Sequence, residues 1–139
     1  MSYATSAALQ AAIYTTLQSD SEVSASTAGH IYDAPPSGAL PPIYVLIGTE
    51  EARDRSDQGT QAALYLMTLR VISDSAGFAG AKQVAGDICD ALLSAPLILA
   101  RGAVTGRWFD RAVARTLKSG GREISLRFRI HVDDISTAP

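Results

Sequence analysis

The sequence predicts one α+β domain, in which a mixed, mainly antiparallel sheet of about four to five strands is packed by two helices. Three observations predict this class. Two segments carry apolar residues at helical spacing, several segments alternate or are continuously apolar as strands do, and two pairs of strands are joined closely enough for hairpins. The predicted order is α-β-β-β-α-β-β over residues 1–139. With 47% apolar and 19% charged residues, the chain is able to bury one core.

The N-terminal quarter is predicted to contain a helix, a short strand and a proline-rich loop, in that order. Apolar residues recur every four positions in an alanine-rich segment, which predicts a helix over residues 4–19. The small residues at 19–29 are expected to end this helix. A short strand is predicted at 30–32. The following loop, 33–42, contains four prolines, which lack the N–H group that helices and sheets use.

Two longer strands are predicted next, on either side of a charged segment. Residues 43–47 are β-branched or aromatic and apolar on both faces, which is typical of a buried central strand. Residues 62–73 have the composition of a long third strand. Between them no apolar residue is larger than alanine, so the segment 50–60 is predicted to be a mobile charged loop or hairpin tip.

The second half is predicted to contain a helix and a hairpin. Between residues 77 and 94 the apolar positions return to helical spacing, and Pro96 ends the run. Residues 103–117 and 122–132 flank a Lys-Ser-Gly-Gly turn sequence, and the second of these segments alternates strictly between apolar and polar residues. The hairpin therefore ends in a half-buried strand with one polar face.

No catalytic constellation can be assembled from the residue types present. Gly-x-Ser-x-Gly and phosphate-binding glycine motifs are missing, and His30 and His131 have no ligand-spaced partner, so structural roles are expected for both. Asp87 and Asp90 share a helix face and are expected to face water. Cys89 is the only cysteine. The chain is therefore predicted to be no enzyme, to use no cofactor or metal and, since its longest apolar run is residues 95–100, to span no membrane.

Positive charge is concentrated in the last third of the chain. From residue 101 to 129, eight basic residues stand against two acidic ones, although the whole chain has a net charge of −2. The four-residue spacing of Arg107, Arg111 and Arg115 is expected to put them on one side, with Arg127 and Arg129 across the turn.

This basic strip has three interpretations. It is a solvated sheet face with Asp110 and Glu123 as ion-pair partners, or a contact surface for an acidic neighbouring subunit. Nucleic-acid binding is the third, although stacking aromatics are sparse nearby, with Trp108, Phe109 and Phe128 the only candidates.

Four segments, read in order, carry a resemblance to a known family. They are residues 42–48 after a proline-rich loop introduced by 31–33, residues 71–77 running into 82–93, the tripeptide 106–108 and the closing segment 125–129. Together they resemble the small tail-completion proteins, or tail terminators, of long-tailed bacteriophages and phage-like gene transfer agents. Ile72 departs mildly from the family, whose members often have an aromatic residue there.

The resemblance implies a hexameric ring that caps the tail tube, ends its polymerisation and presents a surface to the capsid neck. The implied partners are copies of the chain itself, the tail tube protein and a neck or connector protein, with DNA only as cargo passing through the ring. The implied location is the cytoplasm of the producing bacterium and then the assembled particle. A head–tail connector or stopper, and a small nucleic-acid-binding domain, remain as alternatives.

The predicted subunit interface consists of the charged loop and the basic strip. Its residues are Glu50, Glu51, Arg53, Asp54, Arg55, Asp57, Arg107, Arg111, Arg115, Arg127 and Arg129. Opposite charges in two regions allow copies to join head to tail, and such contacts close into a ring when the rotation per subunit is right. Reversing Arg111 and Arg115 to glutamate is therefore expected to abolish ring formation.

Overall fold

The computed structural model describes residues 3–134, and this part of the chain contains three helices and five strands. The elements are α1 (Ser6–Ser19), α2 (Ser21–Thr27), β1 (Ile31–Tyr32), β2 (Ile43–Asp54), β3 (Ala62–Ser73), α3 (Ala79–Ser94), β4 (Ala103–Thr116) and β5 (Arg122–Asp133). The predicted α+β class and the order of its principal elements are confirmed. No helix within residues 3–134 is long and apolar enough to cross a membrane.

The five strands form one sheet in the order β1-β2-β3-β5-β4. Strand β1 runs parallel to β2, and the other three pairings are antiparallel, so the sheet is mixed and mainly antiparallel as predicted. Two long hairpins, β2–β3 and β4–β5, therefore lie side by side through the β3–β5 pairing. The two edges of the sheet are the short β1 and the 14-residue β4.

One hydrophobic core lies between the helices and one face of the sheet. Alternate residues of β3 and β5, from Tyr65 to Val71 and from Ile124 to Val132, are buried there. Apolar side chains of all three helices pack onto them, including Leu9, Val23 and Ile88. We call this side the helix face and the opposite side the open face, and the polar residues of β5 point to the open face because strand side chains alternate.

Helix α1 ends at Ser19, as predicted, but the small-residue segment after it forms a second helix, α2, that the sequence analysis did not predict. Asp20 is the N-cap of α2, and its side chain accepts hydrogen bonds from the backbone N–H groups of Glu22 and Val23. Val23 is fully buried and anchors the helix on the core. A cap and one buried apolar residue thus outweigh weak helix propensity.

Half of the segment predicted as a charged loop is strand. Strand β2 continues to Asp54, and Glu50 to Asp54 pair in antiparallel register with β3 after a register shift that follows Ile47. A Cβ atom at Gly48 would lie 3.1 Å from the carbonyl oxygen of Thr68, so the chains approach closely at this irregularity. Ladder hydrogen bonds need no apolar side chains, and the connecting turn shrinks to residues 55–61. Mobility of this segment stays a prediction.

Candidate functional site

The charged residues predicted at the subunit interface fall into two groups on different strands. One group lies on β2 and the turn after it, and the other lies on β4 and β5. In the sheet order, β3 and β5 lie between β2 and β4. The two groups therefore lie toward opposite lateral edges of the sheet. Residues 50–57, here called the acidic edge, hold four carboxylates and two guanidinium groups, a net charge of −2. Strand β4, here called the basic edge, has three arginines and one aspartate, a net charge of +2.

Glu50, the first residue of the acidic edge, is used inside the subunit. One carboxylate oxygen accepts hydrogen bonds from the hydroxyl groups of Tyr3 and Ser6 at the start of α1. The hydrogen bond to Glu50 raises the pKa of the Tyr3 phenol. Glu50 therefore fixes the first helix to β2, and its carboxylate is not presented to a neighbour.

The rest of the acidic edge is exposed. Glu51 and Arg53 form a solvent-exposed ion pair of 2.6 Å on the same side of the strand. Asp54 accepts hydrogen bonds from the backbone and hydroxyl of Ser56, and these bonds lower the pKa of the Asp54 carboxyl. Asp57 is exposed on the turn beyond them. Surface ion pairs such as Glu51–Arg53 add little to stability, so the charges of Glu51, Arg53 and Asp57 are accessible for contacts outside the subunit.

The Arg55 side chain belongs to the same turn. Its guanidinium donates to the carbonyl oxygen of Asp54 at 3.2 Å. Its backbone N–H donates to the carbonyl oxygen of Ala62, which fixes the end of the β2–β3 ladder.

The three arginines of the basic edge do not share one side, so that prediction was wrong for Arg107. A register shift between Phe109 and Arg111 inserts one extra residue, Asp110, into β4. A bulge of one residue exchanges the faces of all positions beyond it. Arg111 and Arg115 consequently lie on the open face, whereas Arg107 lies on the helix face. The spacing of four residues predicts a common side only in an unbroken strand.

Arg107 caps the C-terminal end of α3. Its guanidinium donates to the carbonyl oxygens of Leu92, at 3.0 Å, and of Ala95. Both carbonyls lie at the helix end, where they have no intrahelical donor and where the helix dipole favours a cation.

Replacing Arg107 with methionine is expected to lower the free energy of unfolding by about 1 to 3 kcal/mol, because two charge-assisted hydrogen bonds are lost. Urea denaturation followed by circular dichroism measures this change. Arg111→Met is the matched control, and we expect it to change the free energy by less than about 0.5 kcal/mol. Equal effects of the two substitutions would contradict the capping role of Arg107.

Arg115 belongs to an ion cluster on the open face that is centred on a buried carboxylate. Glu123 lies opposite it on β5, and its side chain is only 3% exposed. The Glu123 carboxylate accepts from Arg115 at 2.6 Å and from Arg70 at 3.2 Å. Glu123 was predicted as a partner of the basic strip, and this contact is present.

Two of the arginines of β5, Arg127 and Arg129, also have partners within the subunit. Arg127 forms a 2.5 Å ion pair with Asp110, the second predicted partner of the basic strip. The guanidinium of Arg129 lies 5.3 Å from the centre of the Trp108 ring, a cation–π contact. Most of the basic strip thus stabilises the hairpin it lies on.

The basic edge nevertheless presents an unusual combination of exposed groups. Arg111 is exposed and has no ionic partner within residues 3–134, and the residue opposite it is Arg127. Trp108, Phe109 and Val113 are 47%, 46% and 40% exposed. Exposed apolar side chains next to an unpaired cation are typical of contact surfaces. The sequence analysis named Trp108 and Phe109 as aromatics near the basic strip, but it did not predict their exposure because it did not place β4 at the edge of the sheet.

The groups that carry enzymatic chemistry are not brought together. His131 Nδ1 lies 2.5 Å from the Thr105 hydroxyl and 3.6 Å from Asp133, and since both contacts use one ring nitrogen they form no proton relay. His30 contacts the Tyr32 hydroxyl. Asp87 is buried and accepts from Gln83, so the prediction that it faces water was wrong. Within residues 3–134 no three His, Cys, Asp or Glu side chains are grouped to hold a metal.

The lone thiol is expected to be unreactive. Burial, assisted by the neighbouring charge of Asp90, raises the pKa of the Cys89 thiol and so lowers its thiolate fraction at neutral pH. Iodoacetamide at pH 8 is expected to alkylate the folded protein several-fold more slowly than the same protein in urea. Equal rates, measured by mass spectrometry, would contradict this.

Comparisons with known proteins give two findings. Residues 11–133 match the family model described as "Tail completion protein gp17". The chain is also similar to a chain in the solved structure "Virion of native gene transfer agent (GTA) particle", with 44% sequence identity and a TM-score of 0.90. That alignment covers 95% of this chain and 99% of the other. No curated protein matches the sequence.

Proposed function

This chain belongs to the tail completion protein gp17 family, and from that premise we propose that it is a structural component of a phage-like tail. Its copies form a ring, expected to be hexameric, that caps the tail tube, ends tube polymerisation and joins the tail to the neck. The observation that carries the proposal is the likeness, over nearly the full length of both chains, to a chain of a gene transfer agent virion.

The distribution of charge supports assembly in a ring. The acidic edge and the basic edge lie toward opposite lateral edges of one sheet and have net charges of opposite sign. Contacts between unlike edges are attractive, whereas a two-fold contact would put like edges together. Unlike contacts run head to tail, and they give a closed ring when the rotation between copies closes.

The proposed partners follow from this arrangement. Copies of the chain contact one another through the edges, and the two rims of the ring contact the tail tube protein and the neck protein. DNA passes through the ring as cargo and is not a sequence-specific ligand.

The test is polymerisation of a tail tube protein from the same phage-like particle, with and without the purified protein, followed by electron microscopy. We expect rings at one end of each tube and tubes that stop lengthening as the protein is added. The control is tube protein alone, which continues to grow. Tubes of unchanged length without rings would overturn the proposal, and binding to neck components alone would indicate a connector or stopper. Steeply salt-dependent DNA binding would instead favour the nucleic-acid alternative.

A further inference from the structure

At both lateral edges of the sheet, part of the strand backbone has no partner strand among residues 3–134. On one side β4 is the last strand of the sheet. On the other side β1 pairs only with Val45 and Leu46, so the later part of β2 extends beyond the strand that covers it. Unpaired N–H and C=O groups along a strand are a template for another strand.

The hydrogen bonds at the β4–β5 turn identify the open groups of the basic edge. The Leu117 N–H donates to Gly121 at 2.8 Å, and antiparallel ladders bond through every second residue. Arg115, Val113 and Arg111 therefore bond to β5. The backbone groups of Ala112, Ala114 and Thr116 point away from the sheet.

The same reasoning identifies the open groups of the acidic edge. The Arg55 N–H donates to Ala62 at 2.9 Å, so Arg53 and Glu51 bond to β3. The backbone groups of Ala52 and Glu50 point away from β3. The open segments of β2 and β4 thus have similar lengths.

The side chains of these segments suit a strand-to-strand contact. Ala52, Ala112 and Ala114 are exposed and small, and residues 111–116 contain neither proline nor lysine, the residues that often protect strand edges. On the side that faces away from the helices, β4 presents Arg111 while β2 presents Glu51. Unlike charges on neighbouring strands stabilise a pairing, whereas two copies of β4 would bring Arg111 toward Arg111.

We propose that residues 111–116 of β4 in one copy pair with residues 50–53 of β2 in the next copy, so that the sheets of neighbouring copies are continuous around the ring. The partner is a second copy of this chain because the complementary edge is on the same molecule. This inference rests on the proposed function, since it names the contact through which the ring closes.

Proline substitutions test the pairing without removing a bond within the subunit. Proline lacks the N–H group, and the N–H groups of Ala114 and Ala52 are not used by β5 or β3. Ala114→Pro and Ala52→Pro each block one edge, and we expect each to shift the melting temperature by less than about 5 °C. The controls are Ala114→Ser and Ala52→Ser, which retain the N–H.

Under conditions in which the wild-type protein forms rings, each proline variant alone is expected to stay monomeric, and both serine variants to form rings. An equal mixture of the two proline variants is expected to give dimers by mass photometry. Each such dimer uses the intact basic edge of Ala52→Pro and the intact acidic edge of Ala114→Pro, and the blocked edges prevent further growth.

Rings formed by either folded proline variant would overturn the pairing, and self-dimers of Ala52→Pro would show that β4 pairs with β4. Should a proline variant unfold, amide hydrogen exchange of the wild-type protein decides. The amides of Ala52, Ala112 and Ala114 are expected to exchange at least about tenfold more slowly in rings than in monomers. Rings with unprotected amides would refute the pairing alone. A wild-type protein that forms no ring, with or without tube subunits, would refute the proposed function together with this inference.

Discussion

Replacing Arg115 with glutamate is expected to destabilise the folded subunit by about 2 kcal/mol. The substitution removes a 2.6 Å ion pair from Glu123, whose side chain is 3% exposed, and brings a second carboxylate toward it. Removal of one partner of a fully buried pair costs about 3 to 5 kcal/mol. We expect a smaller loss here because the Arg115 side chain is 61% exposed and Arg70, at 3.2 Å, still pairs with Glu123. Urea denaturation followed by circular dichroism measures the loss.

The matched variant is Arg111→Glu, on the same strand and the same face of the sheet. Arg111 is exposed and has no ionic partner in the described part of the chain, so its reversal is expected to change the free energy of unfolding by less than about 0.5 kcal/mol. Ring formation is nevertheless expected to fail, because a carboxylate then faces the acidic edge of the next copy. A combined reversal of both arginines would mix a folding defect with an assembly defect. Equal stability of the two single variants would contradict the structural role of Arg115.

Much of the fold follows from patterns in the sequence. Strand β5 alternates strictly, and its apolar residues from Ile124 to Val132 are all buried. Strand β3 was predicted with the bounds that the structure has, Ala62–Ser73, and α3 begins two residues later than its apolar spacing predicts. These segments are buried on one face along their whole length, so the spacing of their apolar residues predicts both the type of element and the face that is buried.

The differences arise where burial does not decide the local structure. The end of β2 is charged, and only its pairing with β3 makes it a strand. Helix α2 is held by one cap, Asp20, and one buried residue, Val23, in a segment of low helix propensity. The aspartate before Ser-Glu-Val was the one sequence signal for this helix.

The candidate site was predictable in composition but not in arrangement. The sequence contains the two groups of opposite charge, yet the bulge at Asp110, which separates Arg107 from Arg111, has no signature in a strand of this composition. Nor does spacing reveal that Glu50, Arg107 and Arg115 have partners within the subunit. The proposed assembly surface is consequently smaller than the predicted set, and the exposed charges on which the proposal rests are Glu51, Arg53, Asp57 and Arg111.

Phe128→Ala is expected to lower the free energy of unfolding by about 3 to 5 kcal/mol. The Phe128 side chain is 1% exposed at the centre of β5, opposite Met67 of β3. Its ring also makes an edge-to-face contact with Phe109 of β4, with ring centres 6.0 Å apart. Truncation therefore opens a cavity in the core between the sheet and the helices, and urea denaturation at constant m-value measures its cost.

Phe109→Ala changes the other ring of the same contact. This variant distinguishes an effect on folding stability from an effect on ring formation. Phe109 is 46% exposed, so its truncation is expected to cost only about 1 kcal/mol in stability. Since this ring and Arg111 flank the same bulge on the basic edge, the alanine variant is expected to form fewer rings than the wild type although it remains folded. A loss of stability equal to that of Phe128→Ala, with ring formation intact, would place the importance of Phe109 in the core and remove it from the contact surface.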